Sequence, residues 1–135
     1  MNIATRFALA LALLVTATPQ LASAAPKPLA TGTFVTGAHD TSGSATIYSL
    51  DDGTRILRLE NFSTSNGPKV HVILTDHPVT GNDVEDDKSV DLGDLKGNTG
   101  NQNYAIPAGV DLAHVKAVAI YCERFKVNFG AATLK

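Results

Sequence analysis

From Thr31 onward, apolar and polar residues alternate with a period of two in short runs. No stretch keeps the three-to-four-residue spacing of a good amphipathic helix. The runs predict strands over Thr33–Thr36, Ala45–Leu50, Arg55–Glu60, Val70–Thr75, Val90–Leu92, Asn103–Ile106, Lys116–Cys122 and Lys126–Ala132. Asp51-Asp52-Gly53 between two such runs is a hairpin signal, because glycine takes the positive φ that a twisted hairpin needs. Other glycines, at 93, 97 and 100, mark loops that turn back sharply. Asp111–His114 is expected to form one helical turn. Eight short strands with Gly, Asn and Asp turns predict an all-β fold, an antiparallel β-sandwich or barrel in a single domain. Its expected core is Phe34, Ile47, Leu57, Leu59, Val70, Val72, Leu74, Val118, Ile120 and Phe129.

The N-terminus changes where this domain is expected to work. Arg6, the apolar run Phe7–Val15 and the small residues Ala22-Ser23-Ala24 have the layout of a secretory signal over residues 1–24. The apolar run is too short to span a bilayer comfortably. Ala25–Ala30, with two prolines, is expected to be an extended linker, and residues 31–135 the domain. The expected protein is exported, periplasmic or secreted, with no membrane segment after cleavage. Of the 135 residues, cleavage leaves 111, with ten basic against thirteen acidic side chains and a net charge of −3. Scattered basic residues and a negative balance argue against nucleic acid as a partner.

An oxidising compartment makes Cys122, the only cysteine, the residue of most interest. A single thiol makes no internal disulfide, so it is buried and inert, bound to something, or chemically used. In a regular strand Val118, Ile120 and Cys122 share one face and Ala117, Ala119 and Tyr121 the other. Cys122 therefore ends a core-facing row, where a packed thiol is the plain expectation. Its place at the strand end, followed by Glu123-Arg124, raises a second reading: a rim thiol beside a guanidinium, held partly as thiolate. That reading requires the sulfur to be reachable.

Other chemistries find less support. A mononuclear copper site needs a histidine shortly after the cysteine and an axial methionine, yet no histidine follows Cys122 and the only methionine is Met1. His39, His71, His77 and His114 show no ligand-like pairing along the sequence, and His71 reads as a satisfied strand histidine. No metal site is expected. Asp83, Glu85, Asp86, Asp87, Asp91 and Asp94 lack the glycine and terminal glutamate of a helix-loop-helix calcium site and read as a solvated loop. Ser63 and Ser65 lie in no nucleophile elbow, and no glycine-rich phosphate loop is present.

Three stretches then carry a family resemblance: Asn61–Val72 with Asn66-Gly67-Pro68-Lys69, Leu92–Pro107, and Val118–Ala132 with Tyr121-Cys122-Glu123-Arg124-Phe125. In this order they resemble the DM-thirteen domain family, small β domains often found beside DOMON domains and described as electron-transfer-like. The resemblance spans about Gly32 to Leu134. It implies a β-sandwich whose characteristic cysteine falls on Cys122, for which a redox role is proposed in the family. It names no cofactor, metal set or catalytic triad. No DOMON or cytochrome-like module accompanies the domain here, so electron transfer implies a separate redox partner protein. The competing expectation is a non-enzymatic ligand-binding or adhesion module, with Cys122 as packing and Tyr104 and Tyr121 as aromatic filler.

Overall fold

The computed structural model describes residues 14–19 and 25–135. The expected signal segment lies largely outside the described residues, and residues 14–19 carry no regular secondary structure. No helix among the described residues is long and apolar enough to cross a membrane.

Eight strands follow in chain order: β1 Lys27–Thr36, β2 Ser42–Ser49, β3 Arg55–Ser63, β4 Val70–Thr75, β5 Val90–Asp94, β6 Thr99–Ile106, β7 Ala117–Cys122 and β8 Val127–Thr133. One 3-10 turn, Leu112–His114, stands where a helical turn was expected, with Asp111 Oδ1 accepting from Ala113 N at 3.0 Å. Residues 27–30, expected in a linker, form the start of β1, where Lys27 and Pro28 pair with Ser49 and Tyr48.

All neighbouring strands are antiparallel, in the order β5-β4-β7-β8-β1-β2-β3-β6. The long β1 joins the two layers of the sandwich. Its first part pairs with β2, while Phe34–Thr36 pair with β8, so one sheet curls into a nearly closed barrel. Hydrogen bonds near the outer strands β5 and β6 narrow the remaining gap: Lys96 N donates to Tyr104 Oη at 2.8 Å and Gln102 Nε2 to Gly97 O at 2.9 Å. The β2–β3 hairpin closes where Asp-Gly predicted it, with Leu50 N donating to Thr54 O at 2.7 Å.

The ten expected core residues are all buried in one cluster inside the barrel, with Phe62, Tyr104, Ile106 and Cys122 added. Phe34 and Phe62 meet edge to face with ring centroids 5.2 Å apart. Complete burial of Leu57 and Leu59 contributes about 1.5–3 kcal/mol each relative to exposure. A second cluster lies outside the barrel wall. There Val84, from the long loop between β4 and β5, covers Ile73 of β4 and Ala119 and Tyr121 of β7.

Candidate functional site

The β4–β7 ribbon carries both the thiol and a charged cluster built on His71. Val70 pairs with Cys122 and His71 with Tyr121, so alternation points Val70 and Cys122 inward and His71 outward. Cys122 is 1% exposed and belongs to the main core. Its Sγ–H donates to Pro68 O at 3.1 Å. The backbone beside it is also closed, since Glu123 N donates to Lys69 O at 3.0 Å.

The cover over Cys122 is therefore the turn Gly67-Pro68-Lys69. A Cβ on Gly67 would sit 2.7 Å from the Phe129 ring, so only glycine lets the chain press this closely on the core. Lys69 adopts φ 54°, a left-handed backbone that costs a non-glycine residue some strain. Pro68 and Lys69 are themselves exposed, which leaves the sulfur one turn of chain below the surface. The sulfur takes the plain expectation of a packed thiol, and the second reading, a rim thiol beside a guanidinium, is not met with Cys122 1% exposed. Arg124 lies 5.9 Å over the Phe125 ring, and Phe125, 64% exposed, projects at the tip of the β7–β8 turn. Cys122 is the last residue of β7, but the Gly67-Pro68-Lys69 turn closes over it, so the core-facing row wins over the rim.

On the outer face His71 gathers carboxylates from two further elements. Its Nδ1 lies 2.7 Å from Asp91 Oδ2 and 3.5 Å from Glu123 Oε1, and its Nε2 lies 2.9 Å from Asp94 Oδ1. Three residues apart, Asp91 and Asp94 would face opposite ways on a regular strand. The β4–β5 register breaks between His71 and Ile73, and Gly93 there adopts φ +103°. Gly93 N also donates to Asp91 Oδ1 at 2.8 Å. This bulge turns both aspartates onto the histidine. Partial burial opposes a charge on His71, but Asp91, with Glu123 and Asp94, outweighs it and raises the imidazole above its ordinary 6.5. Burial likewise opposes charge on Asp91, and the His71 hydrogen bond overcomes it and lowers that carboxyl.

A second histidine cluster sits past the other end of β4. His77 Nδ1 lies 2.8 Å from Asp76 Oδ1 and 3.5 Å from Asp86 Oδ2, while Nε2 donates to Asp83 O at 3.2 Å. Asp76 raises His77 and is lowered in return. Lys88 Nζ joins Asp76 at 3.6 Å. Glu85 pairs with Lys126 at 2.8 Å. Of the acidic stretch read as a solvated loop, Asp83, Glu85, Asp86, Asp91 and Asp94 are thus divided among His71, His77 and Lys126. The pairing of His71 with Asp91, Asp94 and Glu123 escapes any sequence spacing because it joins separate elements.

The two tyrosines do not frame the thiol together. Tyr104 fills the main core, its hydroxyl donating to Gln102 Oε1, and Tyr121 packs in the outer cluster on the opposite face from Cys122. A cleft of about 410 Å³, lined by Leu74, Val90, Val110 and His114 among others, opens at the Thr75 end of β4, away from the sulfur.

No curated protein and no solved structure matches the chain. One family does, described as electron transfer DM13, over residues 33–134. Those boundaries take in all but the start of β1, both histidine clusters and Cys122. The chain belongs to the DM13 electron-transfer family.

Proposed function

We propose that this protein is an exported electron-transfer accessory that exchanges electrons with a separate redox protein through Cys122. The observation that carries the reading is family membership across the whole barrel, together with one sulfur at the end of β7 beneath an exposed turn. Residues 1–24 supply the export signal in this reading. Phe125, exposed at the neighbouring tip, offers a partner an apolar contact. Because the thiol is closed to solvent, bond formation at sulfur requires the 67–69 turn to move aside.

Native-state alkylation followed by intact mass tests this. Labelling of Cys122 faster than global unfolding, with a redox couple present in the wild type and absent in Cys122→Ser, supports the reading. Labelling only at the rate of global unfolding, with no couple, overturns it.

A second reading is favoured by the 1% exposure of Cys122 and its hydrogen bond to Pro68. In it the barrel is a non-enzymatic recognition module and the sulfur is core packing. Cys122→Ser then changes stability alone.

A further inference from the structure

We propose that His71, Asp91 and Glu123 bind a divalent transition-metal ion of the zinc class, with Asp94 holding the imidazole from its far side. The three donor atoms, one imidazole nitrogen and two carboxylate oxygens, all lie within 4.8 Å of one another. A zinc ion sits about 2.0–2.2 Å from such donors, which separates neighbouring ligands by roughly 3.3–3.6 Å in a tetrahedron. His71 Nδ1 is already 3.5 Å from Glu123 Oε1. Its separation from Asp91 Oδ2 is 2.7 Å, so entry of the ion requires that half-exposed carboxylate to move outward.

The ring orientation is the second part of the argument. A metal-ligating histidine almost always gives its other N–H to a carboxylate or carbonyl, which fixes the tautomer and strengthens the ligand. Asp94 Oδ1, 2.9 Å from Nε2, meets that need and leaves Nδ1 facing Asp91 and Glu123. Charge is the third. Three carboxylates surround one imidazole, a surplus of two negative charges even with the ring protonated. Among the described residues no lysine or arginine lies within ion-pair distance of Asp91, Asp94 or Glu123. The His77 cluster differs here, because Lys88 meets Asp76.

The ligands also stand on different strands, His71 on β4 and Asp91 on β5, with Glu123 directly after β7. A site built on paired strands holds its geometry better than one on a loop. The mixed nitrogen and oxygen set suits zinc and its first-row neighbours, whereas calcium takes six to eight oxygens. With Asp91 42% exposed, a fourth position faces solvent and accepts water or a partner's ligand.

Calorimetric titration of the purified protein with zinc chloride tests the site. One saturable ion is expected at this cluster. His71→Ala and Glu123→Gln each weaken it by at least about tenfold, and Asp94→Asn by about 10- to 100-fold. His77→Ala and Cys122→Ser leave the affinity unchanged, which separates the site from the second cluster and from the thiol. Should the variants unfold, the wild type still decides: zinc must strip the proton from His71 Nδ1, seen in the imidazole nitrogen resonances. No saturable uptake, uptake indifferent to His71→Ala and Glu123→Gln, or equal loss in His77→Ala overturns the proposal.

Discussion

Strands β6 and β7 are walls of the same barrel, yet water meets only one of them. Along Gln102–Ile106 of β6, buried and exposed residues alternate strictly. All six residues of β7 are buried. The difference lies outside the sheet, where the loop between β4 and β5 lays Val84, 0% exposed, over Ile73, Ala119 and Tyr121. A wall covered on both faces excludes water around everything it carries, and here it carries Cys122 inside and borders His71 outside. The sulfur thus lies in the shielded interior of the ribbon, while the charged cluster on its opposite face borders solvent, with Asp91 42% and Asp94 86% exposed.

Two alanines put that contrast to the sharpest test. Ala119 on β7 is fully buried, and Ala105 on β6 is exposed. Ala119→Asp places an unpaired charge between two packed layers and is expected to cost more than about 4 kcal/mol. Ala105→Asp should stay within about 0.5 kcal/mol. Denaturant unfolding measures both, and similar losses at the two positions would break the comparison.

Val84→Ala removes two methyl groups from the outer cluster. It should cost about 2 kcal/mol and raise hydrogen exchange in residues 76–89 and the outer face of β4 while β6 is unaffected. Unchanged exchange there would mean that the histidine and its carboxylates, rather than Val84, hold the loop.

Cys122→Ser should cost of order 1 kcal/mol, since a hydroxyl can still donate to Pro68 O while losing apolar burial. A loss several times larger would mark the sulfur as a central packing element.

The smallest expected effect is the pH dependence. His71 and His77 are both raised above 6.5 in the folded state, His77 by Asp76 first and His71 by Asp91 against partial burial. Their contribution is fully present below about pH 6.5 and is lost as pH rises through the raised values. The lowered Asp91 and Asp76 act oppositely, stabilising above 3.8 and losing that effect as pH falls through their folded values. Thermal unfolding in chelator should therefore show a modest decline from about pH 6 to pH 8.5, kept small by solvent screening. His71→Ala and His77→Ala should each remove part of it. A slope unchanged in the double variant would place the titration elsewhere.

Legibility followed the solvent. Where one face of a strand meets water, period-two alternation identified the strand and its inward residues, as at Leu57 and Leu59. The inward row Val118-Ile120-Cys122 followed from the two-residue pleat alone, since neither face of β7 meets water, and with it came the plain expectation of a packed thiol. The pairing of Lys27 and Pro28 with β2 was not legible, because two prolines look the same in a linker and at a strand start. Nor was the closure over Cys122, which depends on Pro68, 54 residues away in the chain.

The order of apolar and polar side chains by itself determined eight antiparallel strands, the hairpin turn and the barrel's inner lining, since each is a local consequence of pleat geometry and turn chemistry. Tertiary structure alone decided that His71 meets Asp91, Asp94 and Glu123, and that Val84 seals the outer face of β7. Those meetings depend on register, on one bulge at Gly93 and on the path of a long loop. Such quantities are set by the packing of the whole barrel, and no short window of residues contains them.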